Sequence, residues 1–373
     1  MFKLFKEKYP DSTISYNTYR DIFNAEFSLR FGLPRSDTCK LCDKYYIETI
    51  AAEDQNKIRC IEKLAEAHHK KAEKAYSKLS DDTKSALGSS HIVALCVDLQ
   101  QVIYTPNLTH TDVFYQRQYS NYNFAIHNLG QNTIDMYTWH ETVAKRGAAE
   151  IASCILRHIT STYAILKAGD VRKLIIWSDR CVGQNNNWTM IALIYHLIKM
   201  KYFSEANQKF LVSGHSFLPC DRDFSLIERK KKTVRIYTTE DVHEMIKSAK
   251  PSNPFRVHQM LQIDFKNFDV LIKNLNKNTC KITEGRWLQI TADDMQVLRL
   301  RMNHSTGEPW HCHSLRKKSK CQQKYARDIL RPYELPVLRK KPIAISAEKK
   351  KDLLVMAVYL PNQDAEFYRA ICS

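Results

Sequence analysis

The order in which apolar runs fall between residues 91 and 232 constrains this chain more than any other feature. His91-Ile-Val-Ala-Leu-Cys-Val-Asp98 reads as a buried strand ending in an acid, and Asn123–His127 and Asp135–His140 follow as two further strands. Gly130-Gln-Asn-Thr supplies a turn between the last two, so they pair as an antiparallel hairpin. After Gly147 the periodicity changes. An amphipathic helix from Ala148 to about Tyr163 leads to Lys173–Ser178, an uninterrupted apolar run of the kind found in a strand covered on both faces. A helix from Trp188 to about Met200, a strand at Lys209–Ser213 and a helix running from Asp221 into Arg229-Lys-Lys-Lys232 complete the series.

Three strands followed by helix, strand, helix, strand, helix is the order of the ribonuclease H-like fold. It predicts an α/β protein whose core, over residues 89–238, is a ribonuclease H-like mixed sheet. A length of 373 residues allows two or three domains. Residues 1–88 read as a helical N-terminal region, with Ser15 as an N-cap, aromatic residues at spacings of three and four, and a second helix from about Lys44 to Leu79. Residues 239–373 read as a basic α+β C-terminal extension, an accessory domain or arm. It holds a helix at Pro254–Met260, a strand at Arg286–Ile290 and a basic stretch from Arg316 to Lys341.

Lys plus Arg outnumber Asp plus Glu by 57 to 40, a net charge of +17, which favours a polyanionic partner. Nucleic acid, foremost duplex DNA, leads that class. The excess gathers in short runs: Arg229-Lys230-Lys231-Lys232, Arg316-Lys317-Lys318-Ser-Lys320, Arg339-Lys-Lys341 and Lys349-Lys-Lys351. Such runs neutralise phosphates without reading sequence, and they serve equally as nuclear-localisation signals. No apolar stretch reaches the roughly 18 to 20 residues of a membrane span. The N-terminus lacks the apolar core of a signal peptide, so a nuclear or cytoplasmic protein with 11 reduced cysteines is expected. Self-association into a homo-oligomer stays open.

In this strand order the acids fall at informative places: Asp98 ends the first strand, Asp179 follows the fourth, and Asp221, Asp223 and Glu228 lie on the last helix. Three carboxylates meeting at one sheet edge can hold two Mg²⁺ or Mn²⁺ ions about 3.5–4 Å apart for phosphodiester chemistry. Gln184 or Asn185 stands ready to bind phosphate or water there. Any one of these acids can equally be a helix cap or a surface charge, and it is the joint placement that points to a site.

Cys39-Lys-Leu-Cys42 has the spacing that lets two thiolates reach one tetrahedral Zn²⁺, and two ligands remain to be found. His68 or His69 lies further along a helical stretch, with Cys60 eight residues before His68. The alternative is a pair of half-buried thiols at a helix start. His215, beside Gly214 at a strand end, can orient a phosphate or a metal ligand, although most such residues are hydrogen-bonded loop histidines. Trp310-His-Cys-His313 matches no zinc-finger spacing and reads as exposed chain. Neither a phosphate-binding Gly-x-x-x-x-Gly-Lys-Ser/Thr loop nor a Gly-x-Ser-x-Gly elbow occurs, which argues against an ATP-driven motor and an α/β-hydrolase.

The segments Trp139–Gly147, Ser178–Asn185 and Gly214–Glu228, together with Ile14-Ser-Tyr, Tyr19, Phe23, Asp37–Asp43 and Lys350–Leu353, resemble a family of transposon-derived animal proteins known mainly as a domain of unknown function. Its features are those of ribonuclease H-like transposases. The resemblance implies Mg²⁺-dependent DNA cleavage and strand transfer, with Asp98, Asp179 and Asp221 as ligands, Glu228 in reserve, and a histidine at His68 for the zinc site. The family varies at Asp223, which is why Asp221 is preferred. A catalytically silent nucleic-acid-binding or scaffold protein and a ribonuclease are the alternatives on the same fold.

Overall fold

The apolar runs become the middle of one large sheet. The computed structural model describes residues 1–27, 38–317 and 334–373, and its ten described strands form a single mixed sheet. At its centre is β1 (Ile92–Leu99). On one side β1 pairs antiparallel with β3 (Tyr119–Asn128), which pairs antiparallel with β4 (Thr133–His140). On the other side β1 runs parallel to β5 (Lys173–Ser178), which runs parallel to β6 (Glu205–Phe210). The short β2 (Ile103–Thr105) pairs with β3. β7 (Arg256–Gln259) joins β4 at one edge. Beyond β6 the sheet continues antiparallel through β8 (Trp287–Thr291), β9 (Val297–Arg301) and β10 (His311–Ser314).

Alternation along β1 and β5 explains their unbroken apolar character. Val93, Leu95, Leu174 and Ile176 face one layer, and Ala94, Cys96, Ile175 and Trp177 face the other, all of them buried. The first layer is α5 (Ala148–Thr162) and α6 (Trp188–Lys199). The second is the 33-residue α4 (Gln55–Leu87) with α7 (Pro219–Lys231) and α8 (Thr239–Ser248). α4 approaches the sheet through small residues, Ala72, Ala75 and Ala86, and drives one acid into the interior. That acid, Asp82, accepts hydrogen bonds from Lys209 Nζ at 2.6 Å and Trp177 Nε1 at 3.0 Å. A buried charge is tolerable only when paired and hydrogen-bonded in this way.

Several expectations give way to packing. The helix expected from Lys44 to Leu79 is two helices, α3 (Lys40–Ala51) and α4, divided where Asp54 caps α4 by accepting from Asn56 N at 3.0 Å. α2 (Tyr16–Glu26) starts at the expected cap, Ser15, whose Oγ accepts from Thr18 N at 3.1 Å, whereas α1 (Phe2–Lys8) and α8 have no counterpart in the expected elements. Pro254–Met260 is not helical: Arg256 and His258 lie on the edge strand β7 and place side chains 2.5 Å and 2.6 Å from buried Asp135 of β4. That pairing, which tertiary structure alone supplies, overrides local propensity. β6 begins four residues before the expected Lys209, because buried Asn207, Gln208 and Lys209 hide its strand character. Their polar groups are met inside, by Leu174 O, Asn185 O and Asp82 respectively. The short α9 (Asp269–Ile272) and the C-terminal helices α10 (Ala347–Ala357) and α11 (Asn362–Cys372) complete the described elements, the last two packing on Val113 and Tyr119.

Candidate metal centre and acidic edge

Three chain segments meet at the end of the sheet where β5 and β6 finish. Cys39 caps α3 and Cys42 follows in its first turn, so both sulfurs lie on one helical face. His68 comes from the middle of α4. His215 comes from the turn after β6, where its N–H donates to Val212 O at 2.8 Å. Gly214 makes that turn possible. Its φ of +78° belongs to the left-handed region, and a Cβ there would lie 2.7 Å from the Cα and Cβ of Cys39.

Cys39 Sγ lies 3.2 Å from His68 Nε2, and Cys42 Sγ lies 3.2 Å from His215 Nε2. The ligand atoms of Cys39, Cys42, His68 and His215 all fall within 4.8 Å of one another. A tetrahedral Zn²⁺ with its usual bond lengths has ligand–ligand edges of about 3.3–3.8 Å. The donor set and spacing therefore fit, and this Cys2His2 group can hold a metal such as zinc. His69 Nε2 approaches Cys42 Sγ at 3.3 Å but stands outside the four-atom group.

The electrostatics suit a cation. Burial, and then the hydrogen bond and charge of Cys39 with help from Asp43, push the Cys42 thiol up to about 11. Burial lowers His68, aided by His215, His69 and Lys71. His215 is lowered by burial and by His69. The imidazoles are thus held neutral, the form that ligates, and a bound cation reverses the balance at the thiols. His68 closes the site as the resemblance implies. The fourth member of the group is His215, and its trace in the sequence is the Gly-His pair ending a strand. Cys60 is exposed and is not in the group.

The acids lie close by. Extending the parallel pairing of Cys96 with Trp177 by two residues sets Asp98 beside Asp179. α7 starts four residues after His215 and carries Asp221, whose Oδ2 accepts Leu218 N–H at 2.6 Å. Burial and the charges of Asp179 and Asp221 push Asp98 up to about 7, against the backbone N–H of Leu99 at 2.8 Å. Asp221 is also raised, by burial and Asp179, with the Leu218 bond opposing. Asp179 Oδ1 is held by Asn185 Nδ2 at 2.6 Å and by Cys181 N–H at 3.2 Å. The three carboxylates feel one another, yet among the described residues only the Cys/His group closes to within 4.8 Å.

The other acids on α7 face elsewhere. Glu228 accepts from Gln100 Nε2 at 2.8 Å and lies 3.6 Å from Lys231. Asp223 is buried in a 2.8 Å pair with His127. Of the basic residues, Arg229, Lys230 and Lys231 form the last turn of α7. Arg316 and Lys317 follow β10, Lys317 Nζ donating to Lys273 O, while Lys318 and Lys320 lie outside the described residues. His311, Cys312 and His313 lie along β10. Among the described residues no helix is long and apolar enough to cross a membrane.

The fold and site together define a mixed α/β protein with a Cys2His2 centre beside an acidic sheet edge. Residues 124–306 match the model of a family described as a domain of unknown function (DUF7869), so a domain of that kind spans just under half of the chain. No curated protein and no solved structure matches. The matched stretch holds Asp179, His215 and Asp221, whereas Cys39, Cys42, His68 and Asp98 precede it.

Proposed function

We propose that this chain is a ribonuclease H-like, transposase-like protein that cleaves DNA phosphodiesters with Mg²⁺ or Mn²⁺ and transfers strands. Supporting the fold reading is the strand sequence β4-β3-β1-β5-β6, with its first two neighbour pairs antiparallel and its last two parallel. The single observation that carries the function is the approach of Asp98, Asp179 and Asp221 from three separate elements, close enough that the charge of Asp179 disfavours ionisation of Asp98 and Asp221.

Concentrated, partly buried carboxylate charge of this kind suits a hard divalent cation with oxygen ligands. Asp98, Asp179 and Asp221 would hold it. When bound, such ions neutralise charge on the attacking and leaving oxygens of a phosphodiester. Asn185 and the Cys181 N–H fix the orientation of Asp179, and Leu218 N–H fixes that of Asp221. The net charge of +17 supplies attraction for the nucleic-acid backbone.

The experiment is nicking of supercoiled plasmid with Mg²⁺ or Mn²⁺, with an RNA–DNA hybrid in parallel, comparing the wild type with Asp179→Asn. Metal-dependent nicking that the variant lacks supports the reading, and cleavage confined to the hybrid turns it toward a ribonuclease. The commitment of Asp221 to Leu218 N–H favours a second reading, a catalytically silent nucleic-acid-binding protein. DNA binding without cleavage of either substrate selects it.

A further inference from the structure

We propose that Arg180 and Arg286 form a binding site for a backbone phosphodiester of nucleic acid. The proposal deepens the reading of the adjoining acidic edge and rests on it. Arg180 follows Asp179 directly, on the loop between β5 and α6. Arg286 precedes β8 and is anchored at the end of β6, its N–H donating to Arg301 O at 2.8 Å and its carbonyl accepting from Phe210 N at 3.0 Å. Two loops that are remote in sequence thus bring two guanidinium groups to the same end of the sheet as the carboxylates.

Neither group has an acid partner within 4.0 Å among the described residues. The side chain of Arg180 donates to Thr283 O, while its Nε is buried without a partner. Arg286 Nη1 is likewise buried without a partner. Burial and the charge of Arg180 bring Arg286 down to about 10, so both remain protonated at neutral pH and repel. Arg301 Nε is also buried without a partner, but its guanidinium faces aromatic rings, 5.0 Å from the centroid of Trp287 and 4.1 Å from that of Trp310, rather than a second guanidinium. Unpaired, partly buried like charges with unmet donors are costly in a folded chain. A phosphate oxyanion between them removes the repulsion and meets the donors, and the planar guanidinium fork matches its geometry.

The test uses the full chain loaded with zinc, without Mg²⁺ or Mn²⁺, and two probes: inorganic phosphate and a short fluorescein-labelled DNA duplex. Millimolar phosphate should raise the melting temperature of the wild type and leave that of R180Q/R286Q unmoved. Without phosphate the double variant should melt no lower than the wild type, because a repulsion has been removed. Its affinity for the duplex, followed by anisotropy across a salt series, should fall about tenfold, with a salt slope shallower by about one. Asp179→Asn, which removes a negative charge beside the site, should keep both responses or strengthen them, since no divalent metal is involved. A double variant that responds to phosphate like the wild type overturns the proposal. So does a lost phosphate response with unchanged duplex affinity, which marks a free-anion site instead. Should the glutamine variant fail to fold, R180K/R286K keeps the charge and loses the forks, and unchanged duplex affinity in it is equally fatal. Nicking without these responses removes the arginine pair and leaves the acidic edge standing, and the responses without nicking do the reverse.

Discussion

The Cys/His centre and the acidic edge lie six residues apart on the stretch from His215 to Asp221, yet one is closed and the other open. Thiols and imidazoles can be neutral, so Cys39, Cys42, His68 and His215 approach within 4.8 Å without charge repulsion. Carboxylates at neutral pH cannot. Asp98, with Asp179 and Asp221 nearby, resists ionisation instead, and a cation would have to draw the three together. The difference teaches that groups able to stay neutral can be gathered by the fold alone, whereas carboxylates at one sheet edge hold one another apart.

Breaking the closed centre should have the largest effect. Cys42→Ser keeps the shape of the side chain but removes a thiolate, so bound zinc should fall from one per chain by elemental analysis. Stability should drop by on the order of 5 kcal/mol in a denaturant titration. Unchanged folding and no zinc in the wild type would reduce the cluster to ordinary core groups.

The acidic edge should show the opposite sign. Asp98 has its ordinary value of 3.8 raised to about 7, so the folded state binds this proton more tightly than the unfolded state. The stability it contributes is full below about pH 4 and is lost as pH rises toward 7. Metal-free Asp98→Asn should therefore be the more stable protein above pH 7, by on the order of 4 kcal/mol, and equal to the wild type at pH 3. Added Mg²⁺ should stabilise the wild type and not the variant. A variant less stable at all pH values would contradict this account of Asp98.

Gly214→Ala tests whether the turn sets the closed centre. A left-handed backbone and a Cβ driven against Cys39 predict a loss of about 2–3 kcal/mol with weaker zinc retention. Normal zinc content with normal stability would show that the turn relaxes freely. The smallest effect on folding is expected at the basic run after β10. Arg316→Gln with Lys317→Gln should alter stability by less than about 0.5 kcal/mol and flatten the salt dependence of duplex binding by about two units. An unmoved slope would leave these residues with no part in binding.

Much of the core was legible in the sequence. The runs at Ile92–Leu99 and Lys173–Ser178 are apolar on both faces and carry their polar groups, Asp98, Lys173 and Ser178, only at or beside their ends, so burial follows from composition. β6 was displaced and β7 misread because their polar residues, Lys209 among them, are satisfied by partners far along the chain. The same distance hid the fourth metal ligand: Cys42 and His215 stand 173 positions apart, and no local spacing encodes their contact.

The sequence by itself determined which side chains carry chemistry, because thiols, imidazoles and carboxylates at element ends declare their type without a fold. Tertiary structure decided which of them meet. Parallel registration put Asp98 beside Asp179, and helix α7 turned Asp221 toward them while turning Glu228 to Gln100 and Asp223 to His127. Seven residues on one helix face allowed either Asp221 or Glu228 to take that place. Only the packing of α7 against β1 and β3 chose between them, because a helix fixes the angle between its side chains but not the direction in which they point.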